Sequence, residues 1–170
     1  MDFKTFIRDI NDFPKNGIVF KDITPLLSNS KALNSASDAL LELVGNVKID
    51  KVIGMESRGF FFAPILASRL DAGFVPVRKS GKLPYETISE GYALEYGDDR
   101  LEIHKDAISE GERVLIHDDV LATGGTAKAV CKLVERLGGQ IVQCNFLIEL
   151  DFLKGKDKLG NYDVKSLMHY

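Results

Sequence analysis

Residues 113–150 constrain the fold more than any other part of the chain, because their hydrophobic period changes twice. Residues 113–116 have the composition of a buried strand, and apolar side chains then recur every three or four positions from 127 to 137. Gly138 and Gly139 predict the end of that helix, and residues 141–150 predict another strand. A strand, a helix and a strand in this order form a βαβ unit. We therefore predict an α/β fold, with a mostly parallel central sheet flanked by helices.

The rest of the chain continues this alternation less regularly. Residues 79–90 carry Gly, Pro, Ser and Thr but few apolar side chains, which predicts a mobile loop. Residues 92–96 and 101–103 alternate apolar and polar side chains, which predicts a hairpin turning at 97–99. Pro64 is an awkward interior residue in an otherwise helical pattern. The remaining predicted elements are an amphipathic helix over 3–10, helices over 33–44 and 59–70, and strands over 51–54 and 74–77.

Composition and charge exclude several classes of function. The 170 residues carry 22 Lys and Arg against 25 Asp and Glu, and the resulting charge of −3 offers no basic face for a nucleic acid or an anionic membrane. No apolar run approaches the roughly 20 residues of a membrane span, and no signal-peptide core opens the chain, so we expect a cytoplasmic protein. Cys131 and Cys144 form no CxxC pair, which argues against zinc. We expect two reduced, packed thiols, with a disulfide between them as the alternative.

The segment between the first strand and the helix of the βαβ unit carries the candidate chemistry. It reads HDDVLATGGT over residues 117–126, and it matches neither a Walker A loop nor a dinucleotide fingerprint. Its two glycines allow close backbone approach, and free amides at a helix N-terminus bind phosphate. Asp118 and Asp119 suit sugar hydroxyls or a hydrated Mg²⁺. A sugar phosphate would satisfy both ends of the segment; a polar turn with a helix cap is the plainer alternative.

Four segments together resemble the adenine-specific branch of the type I phosphoribosyltransferase family, over nearly the whole chain. They read VLIHDDVLATGGT over 114–126, FKDITP over 20–25, ESRGF over 56–60, and LEYG over 94–97 followed by LEIHKD over 101–106. In the family the first segment binds phosphoribosyl pyrophosphate (PRPP), whereas ESRGF and LEYG point to adenine. His117 departs from the family pattern, which has an apolar residue there. Strand alternation would turn its side chain away from the ligand, into packing or a surface contact.

The resemblance implies transfer of the 5-phosphoribosyl group from PRPP to N9 of adenine, giving AMP and pyrophosphate. It implies one type I phosphoribosyltransferase domain over 1–170, with a small N-terminal hood and base-binding segment over about 1–30. A mobile catalytic loop and hairpin would span 79–100, and a phosphoribosyl-binding unit 113–137. Mg²⁺ is expected to arrive with PRPP, without a dedicated protein ligand. A homodimer is also implied.

The resemblance further implies roles for individual residues. Glu95 would act as a general acid or base near the purine and Tyr96 would close the site against water, although an exposed strand is the alternative for both. A cluster of solvated charges on a loop is the alternative for Arg78, Lys79 and Lys82, and ordinary core packing is the alternative for Val19 and Phe20. Asp22 would brace its segment, and His104 and His169 stand without metal-ligand spacing. The implied contacts are 5′-phosphate with Ala122, Thr123, Gly124, Gly125 and Thr126; ribose with Asp118 and Asp119, which would also reach Mg²⁺ through water; pyrophosphate with Arg58, Lys79, Lys82 and Arg78, the last reaching a neighbouring subunit's site in the family; and adenine with Val19, Phe20, Lys21 and Leu150.

Two other functions remain open at this stage. A relative of the same family would keep the reaction but use hypoxanthine, guanine or xanthine. A regulator that binds PRPP without chemistry would need a nucleic-acid-binding module or a basic face. A chain of 170 residues with a charge of −3 leaves no room for a typical module of that kind.

Overall fold

The computed structural model describes residues 1–93 and 98–170, and it divides the chain into two compact units. The first unit is Met1–Ala39 and the second is Leu40–Tyr170. None of the described helices has the length and apolar content that a membrane crossing requires.

The amino-terminal unit is built around a short antiparallel pair of strands. A 3-10 helix over Phe3–Phe6 precedes β1 (Arg8–Asn11), which pairs with β2 (Val19–Asp22) so that Ile10 lies opposite Phe20. The predicted amphipathic helix over 3–10 is therefore wrong beyond Phe6, because pairing with a strand ten residues away overrides the local helical spacing. The unit continues into α1 (Thr24–Ser28) and the first part of α2 (Ser30–Val44), which crosses the boundary between Ala39 and Leu40.

The larger unit contains a sheet of seven strands: β3 (Lys51–Met55), β4 (Gly73–Lys79), β5 (Thr87–Ala93), β6 (Asp98–His104), β7 (Arg113–Leu121), β8 (Gln140–Glu149) and β9 (Val164–His169). Their order in the sheet is β5-β6-β4-β3-β7-β8-β9. The five strands β4, β3, β7, β8 and β9 run parallel to their neighbours in this group, and β6 runs antiparallel to β4 and β5, which confirms a mostly parallel α/β sheet.

Helices connect the parallel strands. A 3-10 helix over Arg58–Phe61 leads into α3 (Ala63–Arg69), where Pro64 lies in the first turn and not in the interior, so its missing N–H costs no hydrogen bond. α4 (Gly125–Arg136) joins β7 to β8, as the βαβ pattern predicts. A 3-10 helix over Asp151–Leu153 and α5 (Gly155–Leu159) follow β8.

The strand order determines where a ligand can bind. β3 and β7 are neighbours, and the connection that leaves β3 leads to β4 on one side, whereas the connection that leaves β7 leads to β8 on the other side. In open parallel sheets, ligands bind at such a switch point, outside the carboxyl ends of the strands. The segment after β3 and the segment after β7 are therefore the expected walls of a site.

Two predicted boundaries need correction, and one strand was not predicted. β7 extends to Leu121, so the two aspartates lie within the strand and not in the loop after it, since β8 pairs along the whole of β7. β5 begins at Thr87, inside the segment predicted as a loop, because β6 supplies its hydrogen-bonding partner. The sequence pattern also missed β9, which pairs with β8 at the sheet edge.

Candidate active site at the carboxyl ends of β3 and β7

The loop between β7 and α4 forms a small polar cavity at the start of the helix. The cavity has a volume of about 70 Å³. No side chain caps α4 within the described part of the chain, and no acidic residue lies in its first turn. The first amides of α4 therefore keep the partial positive charge that favours an anion. The cavity is lined by Asp118, Val120, Leu121, Ala122, Thr123, Gly124, Thr126, Ala127 and Phe146.

Two glycines hold this loop in place by close backbone contact. Gly124 has a φ of 76°, a left-handed conformation that side chains disfavour. A Cβ on Gly124 would overlap the carbonyl oxygen of Gly155, and a Cβ on Gly155 would overlap that of Ala122. The turn at the start of α5 thus braces the loop between β7 and α4. The sequence analysis did not predict this contact.

The two aspartates of β7 meet the segment that follows β3. Arg58 Nε lies 2.9 Å from Asp119 Oδ2, and the side chain of Asp119 is only 4% exposed. The half-buried Asp118 accepts a hydrogen bond from the Asp119 amide through Oδ1 at 2.9 Å. A Cβ on Gly59 would lie 3.0 Å from that same Oδ1, so glycine next to Arg58 lets the two segments approach. The structure therefore brings Arg58, Asp118 and Asp119 together, three residues that the sequence analysis assigned to different parts of one ligand.

The protonation state of Asp118 and Asp119 depends on their burial and on the charges beside them. Burial, with the negative charge of Asp119 adding to it, raises the pKa of Asp118 well above its usual range. Burial also raises the pKa of Asp119, against the opposing charge of Arg58. Hydroxyl donors or a cation beside the carboxylates would favour their ionised forms. The arrangement thus suits a diol, and its oxygen donors also suit a hydrated Mg²⁺.

Three of the four residues predicted to bind pyrophosphate contact Glu56, which directly follows β3: Arg78 and Lys82 through their side chains, and Lys79 through its amide. Glu56 Oε1 lies 2.7 Å from Lys82 Nζ, and Oε2 lies 3.4 Å from Arg78 Nε. Oε2 also accepts a hydrogen bond from the Lys79 amide at 2.9 Å. Burial of Glu56 opposes its ionisation, but the contacts with Lys82, Lys79 and Arg78 outweigh it and lower the pKa of the carboxyl. Arg78, Lys79 and Lys82 are thus neighbours around one buried acid.

The side chain of Lys79 points to a different acid. Its Nζ lies 3.0 Å from Asp99 Oδ2 in β6, and the Tyr92 hydroxyl lies 3.2 Å from the same oxygen. The hydrogen bond and charge of Asp99 raise the pKa of Lys79, so this amine is charged at neutral pH. The pairing of β6 with β5 brings Asp99 next to Lys79, so the predicted turn at 97–99 is wrong at Asp98 and Asp99, which are strand residues.

His117 is part of the packing on the face of the sheet away from the cavity. Its side chain is fully buried, its Nδ1 lies 2.9 Å from Asn145 Oδ1, and its ring packs edge-on against Phe62. Burial lowers the pKa of His117 to about 4, against the hydrogen bonding of Asn145. Of the two alternatives that the sequence left open, packing is therefore correct and a surface contact is wrong.

The residues predicted to contact adenine lie in both units. Val19, Phe20 and Lys21 belong to β2, where the side chain of Val19 is exposed and Lys21 Nζ lies 2.7 Å from Asp9. Leu150 follows β8, and its amide donates a hydrogen bond to the carbonyl of Leu121, beside the loop between β7 and α4. Glu95 and Tyr96 lie outside the described residues, so their roles stay predictions. Asp22 accepts hydrogen bonds from the amide and hydroxyl of Thr24, consistent with its predicted bracing role.

The isolated histidines have neighbours that their spacing did not reveal. His169 Nδ1 lies 2.9 Å from Asp151 Oδ1 and 3.9 Å from Glu149 Oε2, so the carboxyl ends of β8 and β9 assemble one imidazole and two carboxylates. His104 stacks edge-on against Tyr85. Cys131 and Cys144 are free and buried with their sulfurs 3.7 Å apart, as expected of reduced thiols.

Sequence reasoning assigned no role to Glu56, Asp99 or Phe146, although each lies in the site region. Glu56 had a usable signal, since it begins the ESRGF segment directly after a buried strand. Asp99 and Phe146 had no such signal in the sequence, because only the pairing of β6 and β8 with neighbouring strands places them in the site region.

Comparison with known proteins identifies a family and several similar proteins. A family model for the phosphoribosyl transferase domain matches residues 23–167. An adenine phosphoribosyltransferase from Christiangramia forsetii is 62% identical over 170 residues, which cover 100% of this chain and 99% of that protein. The crystal structure of adenine phosphoribosyltransferase from Thermoanaerobacter pseudethanolicus is 55% identical, with a TM-score of 0.97 over 99% of this chain and 98% of that one. The enzyme from Saccharomyces cerevisiae, complexed with an imino-altritol bisphosphate and adenine, is 46% identical, with a TM-score of 0.93 over 98% and 96% of the two chains.

Proposed function

The chain belongs to the phosphoribosyl transferase family, and from that membership we propose that it transfers the 5-phosphoribosyl group of PRPP to N9 of adenine. The bond between C1′ and the pyrophosphate oxygen breaks, a bond between C1′ and N9 forms, and adenine loses the N9 proton. The products are AMP and pyrophosphate. The reaction belongs to purine salvage.

One observation carries this proposal. The same cavity is lined by Asp118 and by the backbone of Gly124 at the start of α4. An anion at the helix N-terminus and a diol at the carboxylates are the two features of a ribose 5-phosphate, and they lie a few ångströms apart in that molecule. The 5′-phosphate would bind Ala122, Thr123, Gly124, Gly125 and Thr126.

Catalysis by such a site depends on positioning and electrostatics. As the C1′–O bond breaks, positive charge develops on the ribose and negative charge on the leaving pyrophosphate. Asp118 and Asp119 would accept hydrogen bonds from the ribose hydroxyls and lie on the side where the positive charge grows. Arg58, Lys79 and Lys82 would bind the departing pyrophosphate, together with Arg78 of the same chain or of a neighbouring subunit.

Mg²⁺ fits this donor set. The adjacent carboxylates of Asp118 and Asp119 offer oxygen atoms of the kind that Mg²⁺ binds, directly or through water. We propose that these two residues hold it through water while PRPP supplies its direct ligands. When bound, the ion supplies positive charge against the leaving pyrophosphate.

The base would lie against Val19, Phe20 and Lys21, with Leu150 on its other side. Adenine stacks on an aromatic ring, and main-chain groups of an extended segment offer both a donor and an acceptor to its edge. Glu95 would handle the N9 proton and Tyr96 would exclude water. The yeast relative was crystallised with adenine, which supports this choice of base. A homodimer in which Arg78 reaches the neighbouring site, and a cytoplasmic location, stay predictions.

The test is a purine panel. The purified protein is incubated with PRPP, Mg²⁺ and one of adenine, hypoxanthine, guanine or xanthine, and the nucleotide and pyrophosphate are both quantified. We expect AMP and pyrophosphate in equal amounts with adenine, and no pyrophosphate release without a base. Turnover of guanine well above that of adenine would refute the choice of base, and PRPP binding without any product would refute the transferase function.

A further inference from the structure

A carboxylate occupies the centre of the cationic cluster to which we assign pyrophosphate. The side chain of Glu56 is only 8% exposed, whereas Lys82 is 48% exposed and Arg78 is 34% exposed. The Lys79 amide donates a hydrogen bond to Oε2 of Glu56 and so holds the carboxylate in position. Lys82 can therefore turn outwards while the carboxylate stays where it is, and Arg78 can do so once its Nη1 leaves the Lys82 carbonyl, to which it donates at 3.2 Å.

We propose that Glu56 is an internal substitute for the pyrophosphate anion, which holds Arg78 and Lys82 in the free protein and releases them when the ligand binds. This inference rests on the proposed function, since pyrophosphate is the ligand concerned. A pyrophosphate group offers several charged oxygens to the same cations, whereas Glu56 offers two. The carboxylate keeps two like charges near each other without a ligand, but it also competes with the ligand for them.

Glu56 could either compete with pyrophosphate or support its binding, and the two roles predict opposite changes in pyrophosphate affinity when its charge is removed. If Glu56 competes with pyrophosphate, removing its charge frees both cations and tightens pyrophosphate binding. If Glu56 only orients Arg78 and Lys82 for the ligand, removing its charge loosens them and weakens binding. The sign of the change in affinity therefore decides between the two.

The substitution Glu56→Gln suits this test, because the amide keeps the size of the side chain and an oxygen that accepts from Lys79. Glu102→Gln is the matched control. Glu102 accepts hydrogen bonds from the Ser80 hydroxyl and the Gly81 amide of the segment after β4, and no ion pair of Glu102 occurs among the described residues. It removes the same charge from the same neighbourhood without freeing a cation.

The measurement is isothermal titration of inorganic pyrophosphate, in buffer with Mg²⁺, into the wild type and each variant. We expect Glu56→Gln to bind pyrophosphate about three- to thirtyfold more tightly, the factor that corresponds to two partly exposed ion pairs. Glu102→Gln should change the affinity by less than about twofold, since surface charges contribute little. Glu56→Asp keeps the charge but withdraws it by one methylene, so it should fall between the wild type and Glu56→Gln, and it serves if the amide variant does not fold.

A double-mutant cycle with Lys82→Met gives a second readout. Loss of Lys82 should weaken pyrophosphate binding more in the Glu56→Gln background than in the wild type, because Lys82 no longer has Glu56 as a competing partner. Pyrophosphate binding by Glu56→Gln that is equal to or weaker than wild type would overturn the inference. A wild-type protein that forms no AMP from adenine and PRPP would instead overturn the proposed function, and the two failures are distinguishable.

Discussion

The substitution Gly124→Ala tests whether the loop before α4 is a built anion site. Gly124 has a φ of 76°, and a Cβ there would overlap the Gly155 carbonyl oxygen and lie 3.0 Å from its carbonyl carbon. The obstacle is backbone, which cannot rotate away as a flexible side chain can. The loop and the start of α5 must therefore separate to admit one methyl group.

The expected cost has two parts. An alanine in the left-handed region costs about 1–2 kcal/mol. Forcing a methyl group into a filled space costs about 1–3 kcal/mol more. We therefore expect Gly124→Ala to lower the free energy of unfolding by about 2–5 kcal/mol, with the loop displaced from its wild-type position.

Gly111→Ala separates the two parts. Gly111 has a φ of 81°, but a Cβ there meets nothing within 4 Å. Its substitution should cost only the conformational part, about 1–2 kcal/mol. Urea unfolding of both variants measures the difference, which is the contribution of the contact between the loop and Gly155.

Binding of AMP provides the functional readout. AMP at 100 times its dissociation constant should stabilise the wild type by about 2.7 kcal/mol, and Gly111→Ala should keep this gain. Gly124→Ala should lose most of it, because the displaced loop no longer presents its amides to the phosphate. A Gly124→Ala protein that is no less stable than Gly111→Ala, or that binds AMP as the wild type does, would refute the reasoning.

Three further predictions concern other parts of the site. Replacing Asp118 and Asp119 by Asn together should reduce turnover by at least about a hundredfold, because the developing charge on ribose loses its counter-charge, while circular dichroism shows the fold intact; near-normal turnover would remove the ribose assignment. Lys79→Met should raise the KM for PRPP with a smaller effect on kcat, since the lost cation binds the ligand and not the base, and an unchanged KM in steady-state kinetics would favour a solvated charge. Burial holds the pKa of His117 at about 4 in the folded protein, below its ordinary value. The unfolded chain therefore binds more protons between about pH 6.5 and pH 4, and the stability linked to His117 is complete above that range and falls by about 3 kcal/mol through it. Between pH 7 and pH 4, the free energy of unfolding of the wild type should therefore fall by about 3 kcal/mol more than that of His117→Leu, as measured by urea unfolding. Equal falls in the two proteins would contradict the burial of a neutral imidazole.

Local patterns were sufficient to predict the elements that matter most to the site. The period of apolar residues from 127 to 137 predicted α4, and the pair of glycines at its start predicted an anion site. Both signals are short-range, because a helix and its N-terminus are formed by residues near each other in the chain.

Pairing between distant strands decided what local patterns missed. Ile10 fits a helical spacing, yet it lies in β1 opposite Phe20. The two aspartates of β7 are strand residues, because β8 extends the ladder beyond the apolar run. Such pairings depend on which strands become neighbours, and this is set by the packing of the whole sheet.

The sequence by itself determined which chemical groups this protein offers, namely an acid pair before a glycine turn and a set of basic residues after two other strands. Only the tertiary structure decided that Arg58 meets Asp119, that Glu56 gathers Arg78 and Lys82, and that Gly155 braces the loop. The physical reason is that ion pairs and close backbone contacts join segments separated by tens of residues, and their geometry follows from the order of the strands in the sheet.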